Sequence, residues 1–278
     1  MIRFLVDSSS DYTPALLEGR SIEYVPLSVT VGGNTYRDGV NLTKDDFYRL
    51  LQDSEDFPKT ALPSPADFAD IFQDVKEQGD EMVCVLLASA LSGTYQSAVT
   101  AKAMVDCDNI YIVDSCSAAY GVQILVEEAE RMRAAGCTAA HIAHRLEELK
   151  NRIRIVAVPD TLEYLYKGGR LSRTSAAIGS AVSLKPVIVV TNEGKVGVHQ
   201  KCLGHGRALN AVITYLEKHP AHPGYPIYPI YTCGHENVDK LTARLAEQGI
   251  PLHSRVQIGS TIGAHVGPEV YGLIYIEA

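Results

Sequence analysis

The chain has 278 residues, of which 46% are hydrophobic, and a net charge of −8 at neutral pH. This length fits one large or two small domains, and the apolar content is enough for a buried core. The negative charge disfavours general nucleic-acid binding, and no uncharged apolar run reaches the roughly 18 residues of a membrane span. The N-terminus lacks the pattern of a signal peptide, because Asp7 follows its short apolar run at once. We therefore expect a cytoplasmic protein without an integral membrane span or a nucleic-acid partner.

Six cysteines are spread along the chain without a CxxC pair. In a reducing compartment, such cysteines are expected to be small buried side chains rather than disulfides. The sequence also lacks an HExxH motif and a His/Cys cluster. We therefore predict neither a metal nor a cofactor.

The first half of the chain alternates apolar strands with amphipathic helices. Ser64 and Pro65 have the pattern of a helix N-cap and first residue, Gly79 marks the end of that helix, and 32–34 is typical of a hairpin turn. The predicted elements are strands at 2–6, 22–31, 82–88 and 110–113, and helices after Thr43, over 65–78, from Thr94, over 120–135 and over 138–150. Strands that are apolar throughout indicate a parallel sheet with helices on both faces.

The second half has a different pattern, with more strands and a predicted hairpin turn at 192–194. Its predicted elements are strands at 153–159, 186–190, 195–201, 225–232, 251–257 and 271–278, and helices at 160–167, 174–184, 205–218 and 236–248. The predicted fold class is α/β with two domains. Residues 1–155 form an N-terminal parallel-sheet α/β domain, residues 156–278 form a C-terminal mixed or antiparallel α/β domain, and a ligand site lies between them.

The segment ASALSGTYQSA (88–98) follows an apolar strand and opens a helix. Ligands collect beyond the carboxyl ends of strands in α/β sheets, and free N–H groups at a helix start attract anions. The GxSxG pattern of a serine nucleophile is missing, because Ala90 stands at its first glycine, and no lysine follows as in a P-loop. Ser92 and Gly93 are therefore a candidate site for a carboxylate or phosphate, although a plain helix cap has the same pattern.

Two other segments carry candidate ligand-binding side chains. Thr60 lies on a loop stiffened by prolines, which could hold a ligand head group or form a structural turn. Glycines at 259, 263 and 267 predict a tight loop around His265. Its ring can donate a hydrogen bond to an anion, but a lone histidine is commonly structural.

The charge is unevenly distributed along the chain. Residues 151–210 carry nine Lys or Arg and three acidic residues, so that this stretch has a net charge of +6 and the rest −14. Within it, Arg170 and Arg173 follow a predicted helix end, where they suit recognition of phosphate or carboxylate. The stretch predicts a partner surface or a nearby phosphate, and a solvated surface without a partner is the alternative.

Seven segments occur together and in order along the chain: FLVDSSSDYT, PKTALPSPADF, ASALSGTYQSA, YIVDSCSAAYG, YLYKGGRLS, LKPVIVV and IGAHVGPE. They resemble the DegV family of bacterial proteins over essentially the whole chain. The resemblance implies a two-domain α/β fold that holds one long-chain fatty acid between the domains. Some members are the fatty-acid-binding subunit of fatty acid kinase. There a separate subunit uses ATP to phosphorylate the acyl carboxylate, which gives an acyl phosphate for phospholipid synthesis.

The resemblance also implies roles for particular residues, none of them catalytic. These are Thr60, Ser92, Gly93 and His265 for binding the fatty acid carboxylate, Arg170 for the pocket mouth, and Arg173, Lys201 and Arg207 for the kinase-facing surface. We expect helix 65–78 and neighbouring segments to line the acyl tunnel.

Two positions depart from the family pattern. The family has Thr-Ser where this chain has Thr60-Ala61, and it has glycine where this chain has Glu269. The first change removes a hydroxyl group, and a carboxylate at the second would repel a bound anion. Both leave the acyl-chain preference and the coupling to a kinase open.

Three functions follow from these features. The favoured one is a non-catalytic carrier whose ligand is a long-chain fatty acid and whose partner is a fatty acid kinase catalytic subunit. The second is an enzyme for a small acid or phosphorylated substrate, with Ser92 as nucleophile and His265 as base. The third is a protein-interaction module that works through residues 151–210.

Overall fold

The computed structural model describes residues 1–172 and 184–278. The strands, in chain order, are β1 (Ile2–Asp7), β2 (Ile22–Val25), β3 (Ser28–Val31), β4 (Asn34–Arg37), β5 (Lys59–Ala61), β6 (Glu81–Leu86), β7 (Ile110–Asp114), β8 (Ile153–Val158), β9 (Leu184–Val190), β10 (Val196–Leu203), β11 (Tyr228–Tyr231), β12 (Val256–Gln257) and β13 (Tyr271–Ile276). The α-helices are α1 (Pro14–Leu17), α2 (Lys44–Asp53), α3 (Pro65–Gln78), α4 (Thr94–Val105), α5 (Tyr120–Ala134), α6 (Ala139–Leu149), α7 (Glu163–Lys167), α8 (His205–Lys218), α9 (Glu236–Glu247) and α10 (Ser260–Val266).

These strands form three sheets. The first is parallel, with strand order β2-β1-β6-β7. The second has the order β10-β9-β8-β13-β11-β12 and is antiparallel except for the parallel pair β11 and β12. The third is a small antiparallel sheet, β4-β3-β5. The predicted α/β class, with a parallel sheet in the first half and a mixed, largely antiparallel sheet in the second, is confirmed.

Local sequence signals locate several elements correctly. Ser64 caps α3 by accepting a hydrogen bond from the N–H of Asp67, which in turn accepts from the Ser64 N–H, and Gly79 ends the helix with a φ of 67°. The predicted hairpin turn joins β3 to β4 through Gly32 and Gly33, which both have positive φ, as this tight turn requires.

The stretch 22–31, predicted as one extended segment, is two strands in different sheets. β2 pairs with β1 in the parallel sheet, whereas β3 pairs with β4 and β5 in the small sheet. Pro26 lies between them and has no N–H to donate to a strand ladder, so the chain changes sheets there.

The predicted boundary at 155/156 falls inside β8, which pairs with β13 from Ile153 to Val158. In addition, one hydrophobic cluster contains Phe4 from the first half and Ile274 from the second. The division into two domains stays a prediction.

The segment around His265, predicted as a tight glycine-rich loop, is the helix α10 instead. Its glycines are four residues apart and pack closely against other elements. A Cβ atom at Gly263 would lie 2.5 Å from the hydroxyl of Tyr48 and 2.9 Å from the ring of Phe47 in α2. One at Gly267 would collide with the ring of Tyr164 in α7. The glycines therefore serve close helix packing rather than a loop.

One predicted element cannot be compared with the structure. The helix predicted over 174–184 lies outside the described residues except for Leu184, which begins β9. Arg173 also lies outside the described residues.

The close packing of α10 on α2 is tested by replacing Gly263 with alanine. Overpacking costs about 1–3 kcal/mol, against a gain of up to ~1 kcal/mol for alanine over glycine in a helix. We expect Gly263→Ala to lower the free energy of unfolding, measured by urea denaturation. The matched control is Gly206→Ala in α8, where a Cβ meets no atom within 4 Å; it should leave stability equal or raise it. A Gly263→Ala protein as stable as the control would contradict the close contact.

Candidate functional site

A largely apolar cavity lies among the six-stranded sheet, the loops after β6 and β7, and α10. Counted together with its opening to solvent, the cavity has a volume of about 790 Å³. Of the described residues that line it, only five are polar: Thr60, Ser92, Arg170, Thr261 and His265.

The six-stranded sheet supplies one part of the apolar wall. Because alternate residues of a strand face the same side, Ile155 and Ala157 of β8 line the cavity together, as do Ile188 and Val190 of β9. The sheet contributes further lining residues, namely Val196, Ile230 and Ile274.

Helix α3, by contrast, contributes none of the described lining residues. Its Phe68, Phe72 and Val75 pack in a separate cluster with Leu5 and Met82 of the parallel sheet. The expectation that helix 65–78 lines the tunnel is therefore wrong, because its apolar face is used to cover that sheet.

Thr60 and His265 are brought together although they are 205 residues apart in the chain. Thr60 Oγ1 lies 2.8 Å from His265 Nε2, so that β5 and α10 are joined by a hydrogen bond at the cavity wall. The other ring nitrogen, Nδ1, is buried beside Gly168, where a Cβ atom would collide with it, and it has no partner among the described residues.

The His265 ring is neutral in this environment. Burial, and secondarily the positive charge of Arg170, lower its pKa from 6.5 to about 4. We assign the ring proton to Nε2, because a proton on Nδ1 would be a buried donor without an acceptor among the described residues. Nε2 then donates to Thr60 Oγ1, and the hydroxyl hydrogen of Thr60 remains available to a ligand.

Ser92 lies in the loop before α4 and is buried. Its Oγ lies 2.8 Å from Thr94 Oγ1 and accepts a hydrogen bond from the Thr94 N–H, with an N···O distance of 3.3 Å. If the Thr94 hydroxyl donates to Ser92, the Ser92 hydroxyl can donate to a ligand. The Thr94 N–H is already used, and the exposed Gly93 is not among the lining residues. The expected role of the backbone at Gly93 and Thr94 stays a prediction.

Arg170 connects these groups. Its Nε donates to the carbonyl oxygen of Leu91 at 2.9 Å, and its Nη1 donates to that of Gly168 at 2.6 Å. Leu91 precedes Ser92 in the chain, and Gly168 abuts the ring of His265. The half-buried guanidinium group therefore lies beside both the Thr60–His265 pair and Ser92. We define Thr60, Ser92, Arg170 and His265 as the polar patch, and the Thr60–His265 pair and Ser92 are its two halves.

The polar patch is suited to binding an anion rather than to nucleophilic catalysis. Thr60 and Ser92 can each offer a hydroxyl hydrogen, and Arg170 supplies a positive charge. A nucleophilic serine would need a base within hydrogen-bond reach. Here the ring nitrogens of His265 face Thr60 and Gly168, whereas Ser92 is paired with Thr94.

The two departures from the family pattern lie away from the patch. Ala61 is exposed and follows Thr60 in β5, so its side chain faces the opposite side of the strand. Glu269 is also exposed and is not among the lining residues. Its φ of 61° is a backbone conformation that favours glycine, which gives a physical reason for glycine at this position in the family.

Thr261 is a lining residue that the sequence analysis missed. It precedes His265 by four residues, so the two share one face of α10. The four-residue spacing would have predicted that Thr261 lies beside His265 only if the segment had been recognised as a helix. Its hydroxyl is held by Asp38 at 2.5 Å and by Ser8 at 3.0 Å.

The residues predicted to face a kinase lie away from the cavity lining. Lys201 is exposed on β10, at one end of the six-stranded sheet, and Arg207 is exposed in the first turn of α8. The basic stretch is also partly neutralised by an acid outside it, because Arg154 forms an ion pair with Glu277. Its charge available to a partner is therefore smaller than the sequence count.

Two further results concern the described residues as a whole. None of their helices is both long enough and apolar enough to cross a membrane. Nor do three or more His, Cys, Asp or Glu side chains gather within them in a way that could hold a metal ion.

The lowered pKa of His265 predicts a loss of stability in mild acid. Between pH 6.5 and about pH 4, the unfolded chain takes up a proton at this position that the folded protein does not bind. The associated stability, about 3 kcal/mol by linkage, is present above pH 6.5 and is lost progressively as the pH falls through this window. His265→Gln should therefore flatten the dependence of the unfolding free energy on pH. An NMR titration that shows His265 protonating near pH 6.5 would contradict the assignment.

Comparison with known proteins gives a consistent result. A family model described as "Uncharacterised protein, DegV family" matches residues 1–278. A DegV domain-containing protein from Caldanaerobacter subterraneus subsp. tengcongensis is 36% identical, with 99% of each chain covered.

Solved structures agree in fold along the whole chain. A DegV family protein from Thermus thermophilus, described by its fatty acid binding, superposes with a TM-score of 0.88 at 27% identity, covering 100% of this chain and 99% of that one. A stearic acid-binding protein from Eubacterium ventriosum gives a TM-score of 0.88 at 29% identity, with coverage of 100% and 98%. The full-length family match and the close relative together show that this chain belongs to the DegV family.

Proposed function

We propose that this protein binds one long-chain fatty acid in the cavity, with the carboxylate at the polar patch. The observation that carries the proposal is an apolar cavity whose described polar lining is confined to a few side chains, four of which form a connected patch. The related structures from Thermus thermophilus and Eubacterium ventriosum, described as fatty-acid-binding, support it.

The carboxylate would be held by hydrogen bonds from both halves of the patch. The Thr60 hydroxyl donates to one carboxylate oxygen while its own oxygen accepts from His265 Nε2. The Ser92 hydroxyl donates to the other while Thr94 donates to it. The charge of Arg170 offsets the charge of the buried anion.

The acyl chain would lie along the apolar wall formed by β8, β9 and β13. Each buried CH₂ group contributes about 0.8 kcal/mol, so a chain of many such groups stabilises the complex more than the head group alone. A fatty acid bound in this way should remain with the protein through purification.

We further propose that the protein acts as a carrier that presents the carboxylate to a separate fatty acid kinase for phosphorylation to acyl phosphate, with no cofactor of its own. The family resemblance supports this step, together with exposed basic residues at Lys201 and Arg207 outside the cavity. Arg173, outside the described residues, belongs to the same prediction. The alternative of an enzyme that uses Ser92 and His265 is not supported, because Ser92 pairs with Thr94 and His265 pairs with Thr60.

Fatty acid binding is tested by mass spectrometry of the purified protein, first native and then after solvent extraction. We expect one fatty acid per chain. Thr60→Val and Ser92→Ala should each weaken retention of added palmitate by roughly tenfold, because each removes a hydrogen bond to a charged group. The matched control is Thr35→Val, on an exposed position of the same small sheet. A protein that is empty and does not take up palmitate would contradict the proposed function.

The carrier role is tested with a fatty acid kinase catalytic subunit and ATP. Arg207→Ala and Arg173→Ala should leave palmitate binding unchanged but lower the rate of acyl phosphate formation by roughly tenfold, because charges at an interface rim mainly govern association. The control is Arg49→Ala, at an exposed arginine of α2, which should leave the rate unchanged. If Arg173→Ala empties the cavity instead, its assignment to the partner surface is wrong.

A further inference from the structure

Two buried carboxylates outside the cavity hold the beginning of α10. Asp38 accepts hydrogen bonds from the Ser260 hydroxyl, from the Thr261 N–H at 3.1 Å and from the Thr261 hydroxyl at 2.5 Å. Asp11 Oδ1 accepts a hydrogen bond from the N–H of Gly259 at 2.7 Å. Three consecutive residues at the start of α10 are therefore bound to carboxylates from the first 38 residues of the chain.

Ser8 adds a third attachment at the same point. Its Oγ lies 3.0 Å from Thr261 Oγ1 and accepts a hydrogen bond from the N–H of Leu27 at 3.1 Å. Since Leu27 and Thr261 both line the cavity, this link connects two parts of its wall. The Thr261 hydroxyl is turned to Asp38 and Ser8, so it is already paired when a ligand enters.

The rest of α10 is closely packed against neighbouring elements. Gly263 packs against Phe47 and Tyr48 so closely that no Cβ atom would fit, and Gly267 packs in the same way against Tyr164. A short helix that is bonded at its first turn and closely packed along its length moves as one body. A change at the first turn is therefore transmitted to His265, five residues after Ser260.

We propose that Asp38, supported by Asp11, is a positioning residue for the polar patch: it fixes the location of α10 and thereby the hydrogen bond of His265 to Thr60. This inference rests on the proposed function, because its consequence is a change in fatty acid affinity. Binding groups must be held within about 0.5 Å of their productive geometry, and the 2.8 Å contact between Thr60 and His265 joins segments with no covalent link nearby.

Asp38 is suited to this role because an ionised carboxylate only accepts hydrogen bonds. Both of its oxygens are used by the three donors of Ser260 and Thr261. Asparagine would present an amide N–H₂ to one side of this group of donors, and alanine would leave all three without their acceptor. The order of effects should therefore be Asp38→Ala larger than Asp38→Asn.

The test uses the full-length protein after removal of bound lipid, with palmitate as the probe and calorimetric titration as the measurement. We expect Asp38→Ala to bind palmitate at least roughly tenfold more weakly, since displacement of a site by about 1 Å can cost up to about a hundredfold. Asp38→Asn should be intermediate. The matched control is Asp80→Ala, which removes another buried carboxylate, paired with the N-terminal amino group and Arg3 at the start of β6. It should lower the melting temperature but leave the palmitate affinity within about twofold.

A second readout separates positioning from a general loss of stability. In protein labelled with ¹⁵N in histidine, the ring nitrogens of His265 report the proton at Nε2 and its hydrogen bond to Thr60. We expect these signals to change in ligand-free Asp38→Ala and to stay as they are in Asp80→Ala. If Asp38→Ala does not fold, Ser260→Ala removes one of the three donors and should show the same changes to a smaller degree.

The outcomes are distinct. Unchanged palmitate affinity and unchanged His265 ring signals in a folded Asp38 or Ser260 variant would overturn the inference. Equal losses of affinity in the Asp38 and Asp80 variants would overturn it as well, because the effect would then be one of stability alone. If the unsubstituted protein does not bind palmitate, the proposed function fails, but the ring signals of ligand-free protein still decide whether Asp38 positions His265.

Discussion

The hydrogen bond between Thr60 and His265 is the contact on which the site depends. It joins a short strand of the small sheet to a short helix near the C-terminus, in a largely apolar cavity. Its formation requires that β5 pair with β3 and that α10 pack tightly on α2. These packing contacts near the cavity bring the two side chains to 2.8 Å from each other.

The surroundings of this bond determine its chemistry. Burial lowers the pKa of His265, so that the ring is a neutral donor rather than a cation. The nearby positive charge is supplied by Arg170, whose guanidinium group is held by two backbone carbonyls. A fixed positive charge beside two neutral hydroxyl groups is suited to a ligand with one anionic group, and the apolar wall is suited to hydrocarbon.

The small sheet links the first quarter of the chain to the cavity in two ways. Thr60, in β5, contributes directly to the patch. Asp38, which follows β4, lies outside the lining but holds the start of α10. The small sheet and the residue that follows β4 thus provide a hydroxyl group that lines the cavity and hydrogen bonds to the helix that carries its partner. This arrangement explains why Asp38 is buried outside the cavity lining and has both of its carboxylate oxygens bonded.

The sequence by itself determined the elements whose signals are local. The capping residues of α3, the glycine turn between β3 and β4, and the apolar strands β1, β6 and β7 of the parallel sheet depend on neighbours a few residues away, and they were predicted correctly. The motifs also identified Thr60, Ser92, Arg170 and His265 as candidates through family resemblance. The identity of these residues, however, does not determine whether the hydroxyl hydrogens of Thr60 and Ser92 are available to a ligand.

Only the tertiary structure decided the features that depend on contacts across the chain. The glycines at 259, 263 and 267 are compatible with a loop in the sequence alone. The structure shows that Gly263 packs against Phe47 and Tyr48, and Gly267 against Tyr164, where a side chain would not fit. The apolar face of α3 could have lined the cavity, but it covers the parallel sheet. The anchoring of α10 by Asp38 joins residues 222 and 223 positions apart. Such pairings leave no periodic or local pattern in the sequence, because they arise only when distant segments are packed together.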